Sequence, residues 1–143
     1  MQSDNEKMLQ EIVQNTEMGK NTLDEMMGLT RDQRLKNEMM RQKNEYRRLN
    51  QQAHTALAAL GVQATGQSAA AKMGVSMGIR SRTMLDKSTR NLATMLAEGS
   101  GQGVLDCKRA EKDYPAASPG ARKLCQELGE FQSSAEETWR EFV

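Results

Sequence analysis

The chain has 143 residues, a formal net charge of +1, 3% aromatic residues and few β-branched ones. This composition favours one helical domain over a sheet protein, and the near-neutral charge gives no bulk reason to bind nucleic acid or acidic lipid. No apolar run is long enough to span a bilayer, the polar N-terminus is unlike a signal peptide, and there are 2 Cys, so we expect a cytoplasmic protein without a membrane partner.

The first two predicted helices form a hairpin. A helix over about 4–27 begins at a capping box made by Ser3 and Glu6. A second helix covers about 31–60, and the short connection between them requires an antiparallel arrangement. The inward residues of the first helix are Met8, Ile12, Thr16, Gly19, Leu23 and Met26 or Met27. Those of the second are Leu35, Met39, Gln42, Tyr46, Leu49, Ala53, Ala56 or Leu57, and Leu60.

Residues 62–82 are rich in Ala, Gly, Ser and Met and separate the second helix from the next strongly periodic stretch. We interpret them as a crossover, which is a loop followed by a short, loosely helical segment around 69–79. This segment is long enough to travel the length of a bundle. The crossover therefore allows a second hairpin to pack beside the first.

The third predicted helix, 83–113, carries a stripe of small and apolar residues that continues through the glycine-rich run 99–103. Its members alternate in steps of three and four: Leu85, Ser88, Leu92, Leu96, Gly99, Gly103, Cys107, Ala110 and Tyr114. This period predicts one continuous helix with Gly99 and Gly103 on its inward face, where another helix can approach closely.

The last predicted helix covers 119–142. Tyr114 and Pro115 turn the chain, Ser118 is the cap, and Pro119 takes the first helical position, where a missing N–H has no cost. The predicted inward residues are Leu124, Leu128, Phe131, Ala135, Thr138 and Phe142, with Trp139 beside them. The four helices thus form two antiparallel hairpins joined by a long crossover, a topology shared by ferritin-like four-helix bundles.

Several short motifs resemble those of the uncharacterised bacterial ferritin-like four-helix proteins. They are Met8-Leu9-Gln10-Glu11-Ile12, Asn15-Thr16-Glu17-Met18-Gly19, Leu85-Asp86-Lys87-Ser88-Thr89, Met95-Leu96-Ala97-Glu98-Gly99-Ser100 and the Tyr114-Pro115 turn. The resemblance covers nearly the whole chain. It implies the all-α, ferritin-like fold, and it implies no activity because that family has no settled one.

A dinuclear metal site in such a bundle requires a carboxylate from each of two helices and a Glu-x-x-His pair from each of the other two. The chain contains a single histidine, His54, and the residue three positions before it is a glutamine. Glu17, Glu98 and Glu130 lie at or beside predicted inward stripes and are, with His54, weak ligand candidates. We therefore predict no metal site, no catalytic residues and no cofactor.

Cys107 and Cys125 stand nine residues on either side of Ala116, so an antiparallel hairpin brings them to matching heights. Free buried thiols that act as small hydrophobes are one interpretation, and a disulfide is a second. A redox or metal role is a third. A catalytic nucleophile is not favoured, because no histidine lies near enough to activate either thiol.

Arg34, Arg41 and Arg48 recur every seven residues and place a basic face on the second helix. This face suits an anion, although a solvated face paired with acids on neighbouring helices is the favoured interpretation, and nucleic-acid binding is not expected. The 11 Met residues fit either core filling, which is favoured, or a pliable binding groove.

Taken together, the sequence predicts a non-enzymatic ferritin-like bundle with a structural or protein-interaction role. The expected partner is a second copy, giving a homodimer, or a helix of another protein. One alternative is a chaperone-like module that binds an amphipathic helix of a partner. A second alternative is a metal-binding or redox protein with an atypical site.

Overall fold

The structure is a computed structural model, and it describes residues 2–143. That part of the chain contains five α-helices and no strand, which confirms the all-α prediction. The helices are α1 (Asp4–Met27), α2 (Gln33–Ala59), α3 (Ala69–Thr83), α4 (Thr89–Asp113) and α5 (Pro119–Arg140). None of these helices is long and apolar enough to cross a membrane.

Every helix begins at a residue whose side chain accepts a hydrogen bond from the backbone N–H three positions later. These caps are Ser3, Asp32, Ser68, Ser88 and Ser118, and each such cap stabilises its helix by about 1 kcal/mol. Gly61, at φ 71°, follows the end of α2 in the left-handed conformation that only glycine adopts easily.

Two antiparallel hairpins, α1–α2 and α4–α5, pack against each other. At one end the Thr89 hydroxyl donates to the Asp32 carboxylate across 2.9 Å, so α2 and α4 begin side by side. At the other end the Ala116 N–H donates to the Asp4 carboxylate, also across 2.9 Å. Helices α1 and α5 therefore run in one direction and α2 and α4 in the other.

The connection between the hairpins follows the outside of α1. The Gln10 side-chain amide donates to the Gln63 carbonyl across 3.0 Å, and the Ser76 hydroxyl donates to the Glu25 carboxylate across 2.7 Å. Within α3 only Ile79 and Thr83 are buried. The crossover prediction thus falls on residues that do connect the two hairpins, but its loosely helical segment is a regular helix of 15 residues.

The predicted boundary of the third helix was wrong. The chain leaves α3 after Thr83 and begins α4 only at Thr89, and Leu85, taken as the first inward residue, is 97% exposed. The Asp86 carboxylate accepts the Ser88 N–H across 3.0 Å, and the Ser88 hydroxyl then accepts the Asn91 N–H. These local side-chain bonds close a turn and start a new helix, and they outweigh the apolar period.

The glycine-rich run 99–103 is helical throughout, as predicted, but only one of its two inward assignments is correct. Gly103 is buried, whereas Gly99 is exposed and Ser100 is buried in its place. The steps from Leu96 to Gly103 fit the helical period whether the middle residue is Gly99 or Ser100, because a step of three or of four stays on one face. The packing against the other helices selects Ser100.

The core combines the predicted stripes of α1, α2, α4 and α5 around Trp139, which is 1% exposed. Phe131 and Phe142 are half-buried against it, while Leu60 is exposed. The edge of the Phe131 ring packs on Tyr46, with ring centroids 4.9 Å apart. This core is built from helices alone, as the low content of aromatic and β-branched residues predicted.

Gly99 and Gly103 of α4 differ in surroundings, and we expect opposite effects from the same substitution. A methyl group at Gly99 meets no atom within 4 Å, so Gly99→Ala should raise the free energy of unfolding by about 0.5–1 kcal/mol, through helix propensity. At Gly103 the methyl group would overlap the buried amide of Gln132, so Gly103→Ala should lower it by about 1–3 kcal/mol. Urea unfolding of both variants measures the difference. Equal effects would contradict the assignment of faces.

Candidate functional site

The four weak metal-ligand candidates have separate partners or face solvent. The Glu17 carboxylate accepts the Gln67 N–H across 2.6 Å, and Glu98 forms an ion pair with Arg82 at 2.7 Å. His54 and Glu130 are exposed. Among residues 2–143, no three His, Cys, Asp or Glu side chains lie close enough together to hold a metal ion.

The three arginines of the basic face are engaged individually. Arg41 pairs with Glu38 and Arg48 with Glu45 on the same helix, and Arg34 lies over the ring of Phe142, 4.7 Å from its centroid. The guanidinium of Arg41 lowers the pKa of Glu38. Arg41 and Arg48 are thus paired mainly with acids on α2 itself, whereas the favoured interpretation placed the acids on neighbouring helices, where Arg48 has only Glu127 at 3.9 Å.

The structure brings Cys107 and Cys125 together across the α4–α5 hairpin, as two free, buried thiols. The Cys125 thiol donates to the Cys107 carbonyl across 3.5 Å, and the Cys107 thiol donates to the Gln132 side-chain oxygen across 3.7 Å. The pKa of the Cys107 thiol lies well above its ordinary value, because the neighbouring Cys125 thiol and burial both disfavour a thiolate. Such a thiol is a poor nucleophile.

A polar cluster that the sequence analysis did not identify occupies the centre of the bundle. The buried Gln132 amide donates to the Asn15 side-chain oxygen across 2.8 Å and to the Tyr46 hydroxyl across 3.2 Å. Its own oxygen accepts from the Asn15 amide across 3.4 Å. All members of this central cluster, Asn15, Tyr46, Ser100 and Gln132, are neutral side chains.

Two glycines make room for the largest members of the cluster. Gly19 on α1 faces the Tyr46 ring, and Gly103 on α4 faces the Gln132 amide, so closely that a Cβ at either position would overlap those atoms. Burial raises the pKa of Tyr46 to about 12, so its hydroxyl stays protonated at neutral pH. The cluster is therefore a fixed set of uncharged donors and acceptors.

A cleft of about 380 Å³ opens beside this cluster, between α1 and α4. Tyr46, Asn15 and Ser100 contribute polar atoms to it. Its apolar lining comes from Met18, Leu23, Met95, Leu96 and Trp139. A concave, mostly apolar site with a few converging polar groups is the usual form of a small-molecule pocket. No sequence pattern predicts this cleft, because its residues come from four helices.

The second candidate is the outer face of α3. Met73, Met77 and Met84 are 65%, 61% and 73% exposed, and their spacing places them on one side of the helix. Gly74 lies on the same side, and a Cβ there would meet no atom within 4 Å. We call this surface, with the adjoining Leu85, the methionine face. The sequence pattern had favoured core filling for these residues, and the structure leaves them without protein neighbours over most of their surface.

No protein-family model matches this chain, no curated protein is similar to it, and no solved structure resembles it closely enough to match. The candidate sites therefore rest on their own geometry.

The two cysteines should titrate as free thiols. We expect an aromatic disulfide reagent, used without reductant, to modify both cysteines in denaturant and to react slowly with the native protein, because both thiols are buried and the raised pKa of Cys107 suppresses its own thiolate. Release of the reagent's chromophore counts the reactive thiols. A denatured chain without reactive thiols would contradict the prediction and indicate a disulfide.

Tyr46 should make stability depend on pH in the alkaline range. The pKa of Tyr46 in the folded protein, about 12, is above the ordinary value of 10.0. The contribution of Tyr46 to the free energy of unfolding is therefore complete below pH 10 and is lost as the pH rises towards 12. A shift of two units corresponds to about 2–3 kcal/mol. We expect the free energy of unfolding of Tyr46→Phe to fall less across this window than that of the unaltered protein. Tyr114→Phe is the comparison for the other tyrosine, since Glu11 raises the pKa of Tyr114 to about 12 as well.

Proposed function

We propose that this protein is a non-enzymatic, ferritin-like helical bundle that acts by binding another protein. In this proposal the methionine face of α3 receives an acidic amphipathic helix of the partner. The observation that carries the proposal is the exposure, of 61–97%, of Met73 and Met77 on α3 and of Met84 and Leu85 directly after it. Contiguous exposed apolar surface of this kind commonly marks an interaction site, and methionines adapt to a partner's shape.

The ferritin-like part of the proposal is supported by the helix directions. In α1–α2 and α4–α5 each pair is antiparallel, and α2 and α4 begin side by side at Asp32 and Thr89. A long connection between α2 and α4 is needed for that arrangement. A bacterial origin and a cytoplasmic location belong to the same proposal, and the pair of free, buried thiols suits a reducing compartment.

The non-enzymatic part is supported by the chemistry of the bundle centre. Ferritin-like di-iron sites use carboxylates and histidines that project inward. Here the inward side chains near the middle are Asn15, Tyr46 and Gln132, which bond to one another. Neutral amides are weak ligands for a dinuclear centre, and the buried thiols lack an activating base. The geometry therefore favours binding over metal or redox chemistry.

The charge near the methionine face indicates an acidic partner. Residues 69–88 contain four bases, Lys72, Arg80, Arg82 and Lys87, and one acid, Asp86, which gives a net charge of 4 − 1 = +3. The Arg80 side chain is 78% exposed, and the carboxylate of its ion-pair partner, Glu25, is 3.9 Å away. Arg82 is paired with Glu98, so a partner with acidic flanks would meet Lys72, Arg80 and Lys87, which speeds encounter and fixes orientation.

A helix of another protein suits this surface better than a second copy or a lipid bilayer. Gly74 and Gly78 leave open space beside the methionines, where a rigid backbone can approach closely. Two helices of this chain have more acids than bases: α1, whose outside is followed by the crossover, and α5. The outer positions of α5 are polar, and Gln126, Glu130, Ser133 and Glu137 are exposed there. Helices that lie on membranes usually carry Trp, Phe or Leu on their apolar side, and α3 contains none of these.

A synthetic amphipathic helix with leucines on one face and glutamates on its flanks tests the proposal. We expect it to bind with a Kd on the order of 10–100 µM by fluorescence anisotropy. The double variant Met73→Ser, Met77→Ser should weaken binding at least about tenfold, because the apolar area it covers is lost. Met40→Ser, which alters an equally flexible exposed methionine on α2, is the matched control.

Three results would contradict this assignment. Unchanged peptide affinity in the double variant would place the peptide elsewhere. Self-association of the protein that the double variant abolishes would make a second copy the occupant. Stronger binding to vesicles of anionic phospholipid than to the peptide, again lost in the double variant, would make a membrane surface the partner. A lysine-flanked version of the peptide should bind more weakly, since its charge matches that of α3.

A further inference from the structure

The cleft between α1 and α4 has the dimensions of a ligand site and lies apart from the methionine face. Its volume of about 380 Å³ falls within the range of roughly 300–1,000 Å³ typical of small-molecule pockets. It is more than twice the size of a cavity of about 150 Å³ that holds benzene. A molecule with two fused rings, or a short chain with a polar end, fits this space.

The lining of the cleft is suited to an uncharged molecule. Its apolar lining is Met18 and Leu23 on α1, Met95 and Leu96 on α4, and the buried Trp139 on α5. Burial of apolar ligand surface against these residues would supply most of the binding free energy. The two methionines have unbranched side chains that adjust to ligands of different outline.

Polar recognition at the base comes from neutral groups. The Tyr46 oxygen accepts the Gln132 amide across 3.2 Å, and Ser100 lies within hydrogen-bonding reach of the same hydroxyl. We infer that the Tyr46 proton turns to a carbonyl, ether or hydroxyl of a ligand when one is bound. Asn15 lies beside Tyr46, but its amide group is shared with Gln132 and the Gly103 carbonyl. A charged ligand would lose its hydration here without meeting a counter-charge.

The charged residues of the lining are half-exposed or exposed and already have partners. Arg109 lies 3.6 Å from Asp106, which also accepts the Gln102 amide across 3.1 Å. Glu11 accepts the Tyr114 hydroxyl across 2.8 Å. Arg109 offsets the charge of Asp106, but the Tyr114 hydroxyl bonded to Glu11 is neutral, so the lining keeps a net charge of 1 − 2 = −1, which disfavours an anionic occupant.

Gly99 keeps the cleft open on the α4 side. It lines the cleft, and a Cβ built on it would meet no atom within 4 Å. Its backbone is helical, so a larger residue is sterically accepted and would extend into the cleft. Almost any other residue at this position would stabilise the helix more than glycine does. The glycine instead leaves space that a ligand can occupy.

From these observations we propose that the α1–α4 cleft binds a neutral, mostly apolar small molecule that accepts a hydrogen bond from Tyr46. The proposal goes beyond the partner helix on α3 and does not depend on it.

The solvent-sensitive dye prodan is a suitable probe, because it is a neutral two-ring aromatic with a ketone acceptor. We expect saturable binding with a Kd on the order of 10–100 µM, accompanied by a blue shift of its emission. Gly99→Leu should weaken binding at least about tenfold, because the new side chain fills the site. Tyr46→Phe should weaken it several-fold through loss of the hydrogen bond.

The matched control is Gly74→Leu, which places the same side chain in open space on α3. It should leave prodan binding unchanged while hindering the acidic peptide, and Gly99→Leu should do the reverse, so the two proposals fail separately. Thermal unfolding followed by circular dichroism confirms that both variants fold. Prodan binding that Gly99→Leu does not change, or tighter binding of the similarly sized anion anilinonaphthalene sulfonate at the same site, would overturn the proposal.

Discussion

The packing of two large side chains directly against glycines on facing helices is the constraint on which the centre of this molecule depends. Gly19 on α1 lies against the ring of Tyr46, and Gly103 on α4 lies against the amide of Gln132. Because neither glycine has a side chain, a large phenol and a long amide fit between helices that are otherwise packed at ordinary distances. The two contacts place Tyr46 and Gln132 within 3.2 Å of each other. These contacts join α1, α2, α4 and α5 in one cluster, to which Asn15 of α1 also belongs.

A neutral polar cluster has consequences for specificity. A hydrogen-bonded network in a low-dielectric interior favours the one arrangement in which every member has a partner. Sliding the α4–α5 hairpin along the α1–α2 hairpin by one turn would leave the Gln132 amide and the Tyr46 hydroxyl without partners, at a cost of about 1–3 kcal/mol for each group. Among residues 2–143, every buried side-chain nitrogen and oxygen has a partner. The network therefore defines the register of the hairpins, for which a purely apolar interface is less selective.

Helical periodicity alone predicted much of this architecture. The stripes of α1, α2 and α5 and most of that of α4 lie in the core, and their residues matched the predicted ones because packing and sequence share the 3.6-residue period. Periodicity failed where local chemistry competes with it. Leu85 and Ser88 have the sequence spacing of the α4 stripe but do not lie on its inward face. The turn made by Asp86 and the cap made by Ser88 come before α4 begins. The same ambiguity of three- and four-residue steps placed Gly99 inward instead of Ser100.

The functional surfaces were harder to predict, for two different reasons. Gln132 follows Leu128 by four residues, which is a core position, but its polar side chain gave no indication that a glycine on another helix would make room for it. The cleft requires the relative placement of four helices, which no single stripe contains. For the exposed methionines of α3 the sequence pattern was present but misleading. Their spacing is that of a core helix, and only the structure shows that the other side of α3 is the one that faces α1.

Helix α3, which carries the methionine face, buries fewer residues against the rest of the protein than α1, α2, α4 or α5 does. Only Ile79 and Thr83 of α3 are buried, and several of its other links to α1 are side-chain bonds at or near the surface, such as Ser76 to Glu25. Local opening is least costly where few apolar groups are buried, so α3 should separate from the bundle at a lower free energy than α4 or α5. Met18 and Thr22 line the cleft on one side of α1 and the gap beside α3 on the other. The most easily displaced helix therefore rests on the same segment of α1 that forms one wall of the cleft.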